Sequence, residues 1–378
     1  MIMKGEPMLE YFDQARSAVR GRIKETLEGG AARWDRAAPG LGTDAARRLE
    51  DFALRGKMIR GVLVRLGYEL ASGKTAEGSA LEAVERAGAA MELFQSGLLV
   101  HDDIMDRDRT RRGVPTIHVE YERALGEAGY GDPVHYGEAL GVCAGDLAYF
   151  AGFGVLASLP VVPEAARKAA EIAAGELCLV GAAQMLDVAN GAARPGARNA
   201  FAPGPAEPDE EGILRLYRYK TGRYTFSLPL ALGSALAGAD EATRAALEAS
   251  GEELGLLFQL KDDELGVYAD EAELGKPLGS DLREDKKTLF RLLLLRAAEG
   301  ETAARLEAIF GDPRAGAAEL AAVRAAAETL GVKAEHDARM KAYAEGALAG
   351  LGGILAKAPE AAARAFRELV AYSLERTS

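Results

Sequence analysis

Residues 101–116 read HDDIMDRDRTRRGVPT, and the acids in this run stand at a spacing suited to metal-assisted chemistry on phosphates. Asp102 and Asp106 are four apart, so on a helix they share one face, one turn apart. Asp103 points about 100° away. The preceding stretch from Glu92 to Val100 (ELFQSGLLV) reads as a strongly apolar helix. Two like charges stacked at the end of such a helix repel each other, and a hard divalent cation is the usual remedy. Carboxylate oxygens with retained waters suit magnesium. Arg107, Arg109, Arg111 and Arg112 follow at once and bring the opposite charge.

A second acidic pair lies far downstream, in FQLKDDELG at residues 258–266, again at the end of an apolar helical stretch. GKPLGSDLREDKKT follows at 275–288 and supplies Lys276, Arg283, Lys286 and Lys287. One acidic pair alone reads as a solvated helix end. Two pairs, each closing an apolar helix and each trailed by cations, read as a diphosphate clamp: metal bridges carboxylate to phosphate, and the cations take the remaining oxygens. Two basic patches are less specific. In GKMIR (56–60), Lys57 and Arg60 are three apart and share a helix face, offering a point charge and a planar fork to a phosphate. In YRYKTGRYTF (217–226), Lys220 and Thr221 sit among aromatics, as a charge at a pocket wall or a lysine snorkelling over an apolar patch.

The elements that must position these groups are helical. Ala, Leu, Glu and Arg dominate, and Val84, Ala87, Met91, Phe94 and Leu98 form a stripe at helical spacing. Strand signals are nearly absent. The expected fold is all-α, with about ten or more helices. Breakers mark joints at 71–74, 126–133 and 158–163, and the Pro- and Gly-rich segment 190–212 reads as an irregular surface loop within a single domain. The net charge of −12 argues against a nucleic-acid surface. No secretory signal and no membrane span is expected, because the most apolar run, Leu289–Ala298, is broken by Arg291 and Arg296. Cys143 and Cys178 have no metal-ligand spacing and are expected to be buried, reduced thiols of a cytoplasmic protein.

The set GKxxR, HDDxxD, RRGxPT, YKT, FQxxDD and GKP, in this order between Lys57 and Thr288, resembles the trans-isoprenyl diphosphate synthases. The resemblance implies one bundle of helices around a central cavity and a prenyltransferase that joins isopentenyl diphosphate to an allylic diphosphate, working as a homodimer with three magnesium ions. It implies that Asp102 and Asp106 hold two ions and Asp262 a third, with Asp103 and Asp263 in support. Arg111, Lys220 and Lys276 become contacts of the allylic diphosphate. Lys57, Arg60, Gln95 and Arg112 become the isopentenyl diphosphate pocket, and Thr221 and Gln259 face the forming cation. Three positions depart from the pattern: Gly61 where proline is common, Gln95 where many members have histidine, and Gly266 where the second motif usually closes on aspartate.

The growing hydrocarbon should run back along the helix that ends in the first motif. Short-product members commonly carry an aromatic one turn before that motif, where this chain has Gly97 and Leu98. Gly97 is expected to leave room and Phe94 to form a floor one turn deeper. That gives a product of about twenty carbons or somewhat longer, judged from the helical rise. A terpene cyclase and a non-catalytic subunit of a heteromeric synthase are the alternatives. The first leaves Lys57, Arg60 and Arg112 unexplained, and the second tends to lose an aspartate motif that is intact here.

Overall fold

Apolar residues at helical spacing dictate long helices, and breakers end them where the sequence leads one to expect. The computed structural model describes residues 7–194, 196–269 and 279–377, and their regular structure is helical apart from one hairpin. In chain order the helices are α1 (Pro7–Asp35), α2 (Leu41–Leu54), α3 (Ile59–Ser72), α4 (Gly78–Met105), α5 (Ile117–Glu127), α6 (Pro133–Ala157), α7 (Pro163–Ala192) and α8 (Glu210–Leu216). A π-helical segment, Tyr217–Ser227, leads into α9 (Leu228–Leu236) and α10 (Glu241–Tyr268). There follow α11 (Ser280–Arg283), α12 (Leu289–Ala297), α13 (Gly300–Ile309), α14 (Ala317–Thr329), α15 (Val332–Ala349), α16 (Gly352–Leu355) and α17 (Glu360–Glu375).

The chain divides into two compact units. The first comprises Met1–Ala174, Leu228–Leu247 and Gly353–Phe366. Its core holds Val19, Ile23 and Leu27 of α1, Leu49 and Phe52 of α2, Leu93 and Val100 of α4, and Ala144 and Ala148 of α6. The sequence stripe also turns inward: Val84, Ala87, Met91 and Phe94 are buried on α4, and Leu98 is half-buried. Helix α4 and its neighbours meet at glycines. A Cβ on Gly88 would lie 2.6 Å from the carbonyl oxygen of Gly61 on α3, and one on Gly97 would lie 2.9 Å from that of Gly145 on α6.

At Gly61 the close approach has a polar purpose. The first turn of any helix leaves N–H groups without partners, and Met58, which precedes α3, offers no side-chain cap. Glu92, buried on α4, accepts the Gly61 N–H at 2.8 Å. A proline at 61 has no such hydrogen, so the departure from the common GKxxR-Pro pattern is matched by a carboxylate that uses the restored donor. Met58 itself is left-handed (φ 57°), and α3 begins only at Ile59. Lys57 therefore lies before the helix and does not share a helix face with Arg60, as the spacing had suggested.

The one hairpin pairs β1 (Thr110–Arg111) with β2 (Val114–Pro115), with Thr110 opposite Pro115. Its two loop residues, Arg112 and Gly113, have φ of 53° and 76°. That is the primed two-residue turn whose twist suits paired strands.

The second unit comprises Gly175–Ser227, Glu248–Gly352 and Arg367–Ser378. Its π-helical segment presses on α10: a Cβ on Gly255 would lie 2.1 Å from the Cα of Gly222. Arg223 forks onto Glu176 at 2.8 and 2.6 Å and also pairs with Glu252, which fixes the segment beyond Thr221. The irregular stretch is shorter than expected, since α7 continues to Ala192 and α8 starts at Glu210. It is also ordered: Ala206 N–H reaches Ala197 O at 2.8 Å, and the Asn199 carboxamide oxygen caps Phe201 and Ala202.

One expectation fails on α6 and α7. Cys143 and Cys178 are exposed rather than buried. Both helices are long and apolar enough to cross a membrane by length and composition alone, a test that core helices of soluble proteins also pass. Phe150 (71% exposed) and Met185 (76% exposed) are their most open apolar side chains.

Gly61→Pro removes a donor from a buried carboxylate and inserts a ring where a Cβ would already lie 2.8 Å from Val19 and 2.9 Å from Gly88 O. The lost hydrogen bond alone should cost about 2 kcal/mol. Urea unfolding would report this; an unchanged midpoint would show that Glu92 does not cap α3.

Candidate functional site

The first acidic centre is the C-terminal end of α4. Asp102 is half-buried, Asp103 is buried, and Asp106 stands exposed where the helix stops. The hairpin then folds Arg111 back over them. Its Nε donates to Asp103 Oδ1 at 2.5 Å, and its Nη2 lies 3.8 Å from Asp102 and 3.7 Å from Asp108. Burial pushes the Asp103 carboxyl up to about 6 against the pull of Arg111. Asp103 thus braces the arginine, while Asp102 and Asp106 are more open to solvent.

Helix periodicity places Gln95, Leu98 and Asp102 along one face of α4. Glu92 stands one turn before Ser96 and interacts electrostatically with Arg60 and Arg112, which oppose the upward shift that burial gives its carboxyl. One buried anion therefore serves α3, Arg60 and Arg112 together, all inside the first unit. The space beside Gly97 is filled, contrary to the expectation of room: a Cβ there would meet Tyr149 of α6 at 3.1 Å. Phe94 turns the same way. It is fully buried, stacks obliquely on Phe153 at 4.8 Å, and lies where a side chain at Gly152 would go.

The second acidic centre belongs to α10. Asp263 is buried, accepts from the Tyr217 hydroxyl on Oδ2, and accepts from the Gln259 carboxamide on Oδ1 at 3.3 Å. Burial lifts its carboxyl to about 7. The Tyr217 oxygen in turn accepts the Leu289 N–H at 2.9 Å, which ties the π-helical segment, α10 and α12 into one frame. Asp262 faces outward from this frame. Arg376 donates to it, donates to Phe258 O at 3.1 Å, and lies 3.8 Å over the Phe258 ring. Lys220 and Thr221 are carried side by side on the π-helical segment, with the Lys220 ammonium paired to Asp187 of α7. Lys286 lies 3.9 Å from Asp281 and interacts with Asp263, Asp262 and Asp187 as well. Arg283 donates to Ala315 O at 3.0 Å, and Lys287 pairs with Asp285. Lys276 lies outside the described residues.

Sequence spacing did not single out Asp187, Arg376 or Asp281. Asp187 is one acid in an apolar helix (GAAQMLDVAN), and Arg376 is one base near the tail. Neither belongs to a local pattern.

Each centre already holds a cation from the chain itself, Arg111 in one and Arg376 with Lys286 in the other. The outward donors, Asp102, Asp106 and Asp262, are all carboxylate oxygens, so both centres fit a hard divalent ion such as magnesium. A family profile described as polyprenyl synthetase matches residues 46–328. The chain belongs to the polyprenyl synthetase family. This polyprenyl synthetase is 32% identical over 263 residues to the short chain isoprenyl diphosphate synthase of Methanocaldococcus jannaschii, covering 68% of each chain. It is 31% identical to the geranylgeranyl diphosphate synthase of Sulfolobus acidocaldarius, over 74% of this chain and 72% of that one. Among solved structures it resembles the geranylgeranyl pyrophosphate synthase of Corynebacterium glutamicum, complexed with isoprenyl diphosphate and magnesium. The TM-score is 0.83 and the identity 31%, over 97% of this chain and 99% of that one. The polyprenyl synthetase is thus a trans-prenyltransferase by family, with the all-α fold of that family.

The Asp263 carboxyl titrates near 7 in the folded polyprenyl synthetase, against about 3.9 in an unfolded chain. A carboxyl raised on folding contributes stability below its unfolded pKa and loses it as pH climbs through the folded one. Metal-free protein should therefore lose stability relative to Asp263→Asn from about pH 4 to neutrality, and the gap should then level. Thermal melts across that range test it. A gap that does not change with pH would exclude Asp263 as the titrating group.

Proposed function

We propose that this polyprenyl synthetase uses magnesium to condense isopentenyl diphosphate, head to tail and in trans, with an allylic diphosphate. The observation that carries the reading is the pair of carboxylate centres, each braced from behind by a buried aspartate and each neutralised by a basic side chain of the chain itself. We take Asp102 and Asp106 to hold two magnesium ions and Asp262 a third, and the whole chain to act as one catalytic domain. When bound, the ions supply positive charge that stabilises the leaving diphosphate.

The remaining work falls to side chains. Arg111 passes from its carboxylates to phosphate oxygens, Lys220 does the same from Asp187, and Lys276 completes the allylic diphosphate contacts. Lys57, Arg60, Gln95 and Arg112 hold isopentenyl diphosphate close enough for its double bond to attack, with Glu92 keeping the two arginines oriented. Gln259 gives its amide hydrogens to Asp263, so its carbonyl oxygen and the Thr221 hydroxyl are left to stabilise the forming cation.

The names of the relatives favour a product of about twenty carbons or longer, as does the helical rise from Asp102 back to Phe94. Because Gly97 is covered by Tyr149, length is set through Phe94 and its partners on α6 rather than by an open space at 97. The exposed apolar side chains of α6 and α7 favour a homodimer in the cytoplasm over a membrane span, since soluble chains rarely leave such faces bare.

Purified protein, magnesium, labelled isopentenyl diphosphate and each allylic primer should give elongated diphosphates. Asp102→Ala should lower kcat/KM by at least about a hundredfold. Turnover of geranyl diphosphate without isopentenyl diphosphate would indicate a cyclase instead. Phe94→Leu, chosen to limit the cavity, should lengthen the product by at least one isoprene unit; an unchanged chain length would leave Phe94 as core only.

A further inference from the structure

Helix α10 carries another acid besides the second aspartate pair. Glu264 stands two residues past Asp262, about 200° around the helix, and the two have different partners. Asp262 pairs with Arg376, whereas Glu264 lies 3.1 Å from the Lys261 ammonium and 3.5 Å from that of Lys333 on α15. Lys333 also donates to both oxygens of Asp337, one turn on, at 2.5 and 2.6 Å. His336 precedes Asp337 and is fully buried, with its ring T-shaped against Phe290 of α12 at 5.3 Å. Neither of its ring nitrogens has a hydrogen-bond partner among the described residues. Burial pushes its pKa down to about 4, so the ring is neutral and offers a lone pair. One ring nitrogen and one oxygen from each of Glu264 and Asp337 lie within 4.8 Å of one another. All of these residues but Arg376 fall in the stretch Glu248–Gly352 of the second unit.

An unpartnered polar atom in a buried place calls for an explanation, and an ion is one. We propose that Glu264, His336 and Asp337 form a binding site for a borderline divalent cation such as zinc, apart from the aspartates of the diphosphate motifs. Nitrogen is the donor that distinguishes it: imidazole suits zinc, while sets of oxygens suit magnesium. Three protein donors leave a fourth position to water. Lys333 is the cation that holds the two carboxylates when no metal does. Zinc bonds of about 2.0–2.2 Å need donors roughly 3.5 Å apart, so the three draw in by roughly 1 Å once the lysine leaves. Its ammonium already lies 5.5 Å from the centre of the Tyr268 ring, a face that can keep it. Asp337, with its side chain 36% exposed, opens the site to solvent. The site does not depend on what Asp102, Asp106 and Asp262 bind.

The test titrates zinc into the full-length protein in excess magnesium, against a chromophoric chelator, and follows the imidazole resonances by NMR. The chain has four histidines, His101, His118, His135 and His336, so the ring that binds can be identified. Zinc should bind and move the His336 resonances. His336→Phe, which keeps an aromatic ring against Phe290, should weaken that binding at least about tenfold, and so should Asp337→Asn. Melting temperatures recorded alongside show that each variant is folded. Lys333→Met removes the competing ammonium and should tighten zinc binding at least about twofold, as the loss of a part-exposed ion pair allows. A His336 ring that does not move overturns the site, as does zinc that moves His101 instead. Wild-type affinity in folded His336→Phe overturns it too. Unchanged or weaker binding in Lys333→Met overturns the part given to the lysine.

Discussion

Carboxylates gathered at the end of an apolar helix repel one another, and much of the local architecture is arranged around that repulsion. In the first unit one aspartate of the group, Asp103, is turned inward and bound by Arg111, which also reaches toward Asp102 and Asp108. In the second unit Asp263 is turned inward onto Tyr217 and Gln259, while Arg376 covers its neighbour Asp262. The buried member of each pair costs desolvation, and the shifts of both carboxyls toward neutrality record it. The other member, Asp102 or Asp262, is only half-buried and lies nearer solvent. A cationic side chain at each centre holds the acids in place until a stronger positive charge arrives.

The same economy governs the basic side. Glu92 is buried, accepts from the start of α3 and lies within the field of Arg60 and Arg112. A helix N-terminus favours a nearby anion, so one carboxylate settles the helix end and draws two guanidinium groups toward it. The glycines at 61 and 88 are what allow α3 and α4 to come close enough for this.

The all-α fold, the main joints and the two aspartate motifs were legible in the sequence because each is local: periodicity, breakers and short spacings are properties of a few neighbouring residues. What was illegible depends on contacts across long separations. Asp187 meets Lys220 across 33 positions and Arg376 meets Asp262 across 114, and nothing near any of them in sequence announces the partner. The misreadings have physical causes too. Lys57 and Arg60 have helical spacing, but the left-handed Met58 starts the helix two residues late. Gly97 has no side chain, yet a missing side chain became a place for two helices to touch rather than a space for substrate. Cys143 and Cys178 sit in apolar sequence on helix faces that this chain leaves open.

The π-helical stretch from Tyr217 to Ser227 carries its own consequence. Its hydrogen bonds close over one more residue than those of the α-helices around it, and it is pinned at two points, by Tyr217 on Asp263 and by Arg223 on Glu176 and Glu252. Lys220 and Thr221 ride between those pins. Dropping one residue would let the backbone relax to ordinary winding and swing everything beyond the cut by about 100°, so the pins could not both be kept. Indels that surface loops absorb freely are therefore closed to this segment, and its length is as constrained as the identity of the lysine it carries.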